Sequence, residues 1–132
     1  MAAQQRPLSP HLQIYRQPLT AGLMSITHRA TGVLLAFGAF ALTAWLLAVA
    51  GDNDSFSAFM AWASSPIAKV ALLAMLAALV YHFLNGLRHL LWDIGWGYEI
   101  PQSLRSGHLV LGLTLVVTAL IAFVAIKAGG GA

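Results

Sequence analysis

Cysteine is absent from the 132 residues of this chain. Its absence excludes disulfides, thiolate zinc sites, iron–sulfur ligation and the C-x-x-C-H attachment of a c-type haem. Any metal cofactor must therefore be held by histidine, carboxylate or methionine. Charge is also scarce: Asp, Glu, Lys and Arg make up 8% of residues, against about a quarter in soluble domains. The four acidic and seven basic residues leave a formal +3, but the cations are scattered singly and form no polybasic run that nucleic acid would need. The isoelectric point near 9.8 reflects the shortage of carboxylates. No internal repeat is visible. What fills the chain is apolar, at 59% of residues with mean hydropathy +0.78.

That material is arranged in three runs, which predict an all-α integral membrane protein with three transmembrane helices. A hydrocarbon core about 30 Å thick needs ~20 apolar residues at ~1.5 Å rise each. Residues 1–20 are polar and interrupted by Pro7, Pro10 and Pro18, so they read as an N-terminal arm, with Thr20 as N-cap of the first span. That span is expected over 21–50, with no charge from Ala30 to Ala50. The second is expected over 66–93 and the third over 107–128, with an uncharged run from Leu109 to Ile126 that closes just before Lys127. The connector 51–65 opens Gly-Asp-Asn-Asp and then spaces Phe56, Phe59, Met60 and Trp62 helically, which predicts a short interfacial helix. The connector 94–106 reads as irregular. A signal peptide ending at Ala48-Val49-Ala50 is disfavoured, because the apolar run is too long and too far from Met1.

Trp45, Trp62, Trp92, Trp96 and Tyr98 fall near predicted span ends, where amphipathic rings favour the headgroup region. Arg6, Arg16, Arg29, Arg88 and Arg105 lie on the side of the N-terminus, against Lys69 and Lys127 opposite. The excess predicts a cytoplasmic N-terminus.

Two polar constellations interrupt the apolar pattern. On the second span His82, Asn85, Gly86, His89 and Asp93 recur at i, i+3, i+4, i+7 and i+11, one face of a helix. Ionisable groups in a span are costly in lipid and are functional candidates by default. His82 lies ten residues, or ~15 Å, from Trp92, too deep for interfacial water. A neutral imidazole there offers a lone pair to haem iron, and Gly86 one turn on leaves room for a flat macrocycle. Equally, His82 can hydrogen-bond a neighbouring helix with Gly86 as a packing contact, and spacing alone leaves both readings open. His89 and Arg88 lie nearer the boundary, within reach of haem propionates, lipid phosphate or a soluble partner, with snorkelling the simpler reading for Arg88.

The second constellation, Ser25, His28, Arg29 and Gly32, forms a stripe at the start of the first span. Hydroxyl, imidazole and guanidinium together suit a quinone carbonyl, which gains negative charge on reduction. The simpler reading is a helix anchored by Arg29 at anionic headgroups.

Both stretches match a known pattern. Ser25-Ile26-Thr27-His28-Arg29-Ala30-Thr31-Gly32, followed by His82-Phe83-Leu84-Asn85-Gly86-Leu87-Arg88-His89-Leu90-Leu91-Trp92-Asp93, resembles the cytochrome b subunit family of succinate dehydrogenase. The arm Arg6-Pro7-Leu8-Ser9-Pro10-His11-Leu12 is similar to that family's start. The resemblance implies a three-helix anchor that is not catalytic by itself and pairs with a second membrane anchor. Haem b is shared between the two, and an iron–sulfur subunit and a flavoprotein subunit dock on them. It implies His82 as axial haem iron ligand, with the second ligand from the partner, and Ser25 and Arg29 at a ubiquinone site. His28, Arg29 and His89 would lie near the haem or its propionates. The location implied is a bacterial inner (cytoplasmic) membrane, with no nucleic-acid partner. A fumarate reductase anchor runs the same chemistry backwards. The rival of another class is a small transporter or proton-conducting subunit, with His82, His89 and Asp93 as a relay.

Overall fold

The computed structural model describes residues 19–129, and side chains from Gly22 onward. Four helices occur in order: α1 (Leu19–Ala50), α2 (Asn53–Ala63), α3 (Pro66–Asp93) and α4 (Ile100–Gly129). No strand occurs among the described residues, and α1, α3 and α4 are long and apolar enough to cross a membrane.

Helix α1 runs 32 residues because nothing between Leu19 and Ala50 breaks it. It already includes Thr20, so the expected N-cap lies inside the first turn.

Two short caps then turn the chain. The Asp52 side chain accepts from the Ser55 backbone N–H at 2.7 Å and starts α2. Ser65 accepts from the Ala68 N–H at 3.2 Å and starts α3, with Pro66 in the first turn, where its missing N–H has no intrahelical partner to lose.

Helix α3 ends in a Schellman motif. The Gly95 N–H donates to the Trp92 carbonyl and the Trp96 N–H to the Leu91 carbonyl, both at 2.9 Å. Gly95 has φ +83°, the left-handed region that costs a residue with a Cβ about 1–2 kcal/mol. The connector between the long helices is shorter than the irregular 94–106 expected. Helix α4 begins at Ile100, because Pro101 sits in its first turn, where its fixed φ favours helix.

The shared core lies at the end of the bundle where α1 begins and α3 ends. Met24 of α1, Tyr81 of α3 and Val110 of α4 are buried together, with Leu84 against them. The Tyr81 hydroxyl donates to the Met24 carbonyl at 2.9 Å. A Cβ on Gly107 would meet Met24 Sδ at 2.9 Å, so the absence of a side chain there lets α4 approach α1. Away from this junction the helices present apolar side chains outward: only 6% of the most apolar stretch of α1 is buried, against 22% for α3.

Candidate functional site

Three histidines meet beside this core. Helix α1 contributes His28 and α3 contributes His82 and His89, one heptad apart on one side of that helix. The rings of His28 and His82 stack with centroids 4.0 Å apart and planes within 9°. His89 meets His28 edge-on at 5.1 Å. The two sequence motifs, more than fifty residues apart, thus form one cluster.

Hydrogen bonding defines the state of the His82 ring. Its Nδ1 lies 3.1 Å from the His28 backbone carbonyl and 3.2 Å from Thr31 Oγ1. A carbonyl has no proton to give, so Nδ1 carries the hydrogen and donates. In a neutral imidazole that leaves the lone pair on Nε2, which makes no hydrogen bond among the described residues. Gly32 allows the ring to sit there, since a Cβ at that position would lie 3.1 Å from His82 Cε1. Gly86 faces the His28 ring, with Cε1 4.0 Å from where its Cβ would be.

His28 is half-buried, and its Nδ1 is buried with no hydrogen-bond partner among the described residues. His89 Nε2 lies 3.4 Å from Asn85 Nδ2, and Arg88 fixes the direction of that contact. Arg88 can only donate, and its Nη1 reaches Asn85 Oδ1 at 3.2 Å. The amide nitrogen of Asn85 therefore faces His89 and donates to Nε2.

Arg88 itself departs from expectation. It is 5% exposed, donating from Nε to Ser106 Oγ and from Nη2 to the carbonyl and hydroxyl of Ser103, all at 2.9 Å. Its guanidinium also lies over the Trp92 ring at 4.0 Å. It clamps α3 to α4 and does not snorkel to the surface. The reason is local: Ser103 and Ser106 stand one turn apart on α4 and offer three acceptors to a planar fork. Sequence reading missed this partnership, as it missed Tyr81 and Thr31. The serine spacing against an arginine on the polar stripe was the available signal.

Other expected residues stand apart. The Ser25 and Arg29 side chains are exposed, one turn from each other on α1, and make no side-chain hydrogen bond among the described residues. Asp93 is exposed at the end of α3, one turn beyond His89. Among the described residues no group of three His, Asp or Glu is placed to hold a metal ion. A single imidazole with a free Nε2 is what the site offers to iron, which suits a group needing one protein ligand from this chain.

Comparison with known proteins gives a consistent set of likenesses. The family described as succinate dehydrogenase/fumarate reductase transmembrane subunit matches residues 2–121. A succinate dehydrogenase cytochrome b556 subunit of Rickettsia felis is 40% identical over 116 residues, covering 88% of this chain and 90% of that protein. The cytochrome b556 subunit of Paracoccus denitrificans is 41% identical, covering 89% and 92%. The mitochondrial cytochrome b560 subunit of Homo sapiens is 41% identical, covering 84% of this chain and 66% of its own length.

Proposed function

We propose, because this chain belongs to the succinate dehydrogenase/fumarate reductase transmembrane subunit family, that it is the cytochrome b membrane-anchor subunit of a succinate dehydrogenase. It is a multi-pass membrane protein, in a bacterial cytoplasmic membrane on this reading. Its three spans pair with a second anchor, and an iron–sulfur subunit and a flavoprotein dock at the end where α1 begins.

The observation that carries the reading is the position of His82 Nδ1, 3.1 Å from the His28 backbone carbonyl. With Nδ1–H committed to the His28 carbonyl, Nε2 is left as the ligand of haem b, and the partner anchor supplies the second ligand. A haem held there would supply one-electron ferric/ferrous chemistry. The chain's own residues do the rest. His28 lies against the His82 ring and holds its Nδ1 proton, and Gly32 keeps room for it. The Nδ1 of His28 is buried without a partner among the described residues, which leaves it one hydrogen bond to make when the site is filled.

Ubiquinone is the electron acceptor in this proposal. The Ser25 hydroxyl and the Arg29 guanidinium offer a donor and a positive charge to a quinone carbonyl, and both strengthen as the oxygen gains anionic character. Both side chains are exposed in the isolated chain, so the pocket that excludes water around them is completed by the partner subunits. A proton relay through His82, His89 and Asp93 is disfavoured, since the relatives are named as cytochrome b subunits. The relatives' names favour succinate oxidation over fumarate reduction.

Two substitutions test the assignment in the purified complex. His82→Ala should abolish the low-spin haem spectrum, and an unchanged spectrum removes His82 as ligand. Arg29→Ala should lower quinone reduction by about tenfold or more while succinate oxidation by an artificial acceptor persists. Equal loss of both activities would overturn the quinone role.

A further inference from the structure

We infer that Thr31 is a positioning residue for the haem ligand: its hydroxyl accepts the Nδ1–H of His82 and so sets that imidazole's tautomer, tilt and donor strength. The inference rests on His82 being the ligand.

Distances give the direction of each hydrogen bond. Thr31 Oγ1 lies 2.8 Å from the Thr27 carbonyl and 2.9 Å from the His28 carbonyl, and the hydroxyl has one proton to place between them. Both contacts are shorter than the 3.2 Å to His82 Nδ1. The proton therefore stays on the α1 backbone, and an oxygen lone pair faces the ring. The His28 carbonyl, 3.1 Å from Nδ1, can only accept. Two acceptors thus converge on one N–H, and neither can give a proton back. The other tautomer, with hydrogen on Nε2, would set the Nδ1 lone pair against the carbonyl oxygen and would lose its capacity to bind iron.

Thr31 also has a fixed side chain. A threonine in a helix whose hydroxyl returns to the preceding turn is locked at χ1, so its lone pair is delivered at a set angle. Gly32, next in sequence, lies along the adjoining Cε1 edge, because a Cβ there would lie 3.1 Å from His82 Cε1. That edge of the ring meets a small residue that cannot grow and a hydroxyl that cannot turn. The His28 ring stacks on it at 4.0 Å.

An acceptor on the distal nitrogen of a ligating imidazole raises its basicity and favours the more highly charged iron. Removing one of two acceptors should weaken the preference for ferric iron and raise the midpoint potential. The shift expected is up to about tenfold in the ferric-to-ferrous ratio at fixed potential, equivalent to about 59 mV for one electron.

The test uses the intact membrane complex, titrated by optical spectroscopy, with low-spin electron paramagnetic resonance of the ferric haem. Thr31→Val keeps the volume and removes the hydroxyl, and Thr31→Ser restores it. The result expected is a raised potential and shifted ferric signal in Thr31→Val, both returned toward the parent in Thr31→Ser. If Thr31→Val loses haem, recovery of haem in Thr31→Ser supports the proposal, and failure to recover overturns it. An unchanged potential and signal in Thr31→Val also overturn it. His82→Ala in parallel separates the two claims: haem retained there removes the ligand assignment itself, whereas haem lost there with Thr31→Val unchanged removes only the role of Thr31.

Discussion

Arg88 is the residue whose environment most changes how the polar stripe of α3 is understood. An arginine near the end of a membrane helix is ordinarily a snorkelling anchor, yet here four hydrogen bonds and an aromatic face hold it within the chain. Arg88→Met keeps an unbranched apolar side chain at this position but removes the guanidinium from the Trp92 ring and strips donors from Ser103, Ser106 and Asn85. Leaving such buried acceptors unmet costs about 1–3 kcal/mol, which thermal denaturation of the complex in detergent would register as a lowered midpoint. Arg88→Lys should recover only part of the loss, because an ammonium cannot reproduce the fork. Full recovery with lysine would reduce the clamp to a point charge. His82 was visible in the sequence as a deep histidine on an apolar helix. Arg88 was visible as a residue but not as a role, since the serines that define it belong to another helix.

Helix boundaries show the same division between what is local and what is not. The caps at Asp52 and Ser65 use short-range chemistry that a sequence carries openly. Aspartate before a helical run, and Ser-Pro before an apolar one, each solve an unpaired N–H within three residues. The start of α4 was harder to place, because the Schellman turn at Gly95 compresses the connector and a second glycine, Gly97, continues it with φ +79°. Asp52 also gives α2 a pH dependence. Its hydrogen bonds with Ser55 hold the carboxyl below the usual aspartate range. The folded value thus lies beneath the unfolded one, so the stabilisation is fully present above the unfolded value of about 3.9. It is lost as pH falls through the folded one. Hydrogen exchange at the Ser55 amide, compared with a free amide at each pH, should show protection falling in acid. Asp52→Asn, which caps without titrating, should flatten that dependence, and Asp52→Ala should lower protection throughout. An Asp52→Asn profile that still falls in acid would assign the effect to another group.

At the scale of the molecule, most apolar area faces outward, and that settles what kind of solvent the fold expects. Phe37, Phe40, Leu115 and Ile126 are each more than half exposed, far beyond the scattered hydrophobics of a soluble monomer. Lipid and a partner's helices are the surroundings that would cover them. Three crossings place α2 on one side of the membrane and the α3–α4 connector on the other. The cation count predicts the orientation even with Arg88 withdrawn from it as a buried residue, because by sequence order Arg6, Arg16, Arg29 and Arg105 fall on the side of the N-terminus against Lys69 and Lys127 opposite. The missing cysteines make this orientation directly measurable, since any thiol introduced is the chain's only one. Asp54 in α2 and Arg105 in α4 are both exposed, and each is replaced singly by cysteine in cells. A membrane-impermeant maleimide added outside the cytoplasmic membrane should label Asp54→Cys and spare Arg105→Cys until the membrane is opened. Labelling in the reverse order would place the N-terminus outside, and with it the Ser25–Arg29 pair, and would overturn the proposed docking of an iron–sulfur subunit at that end.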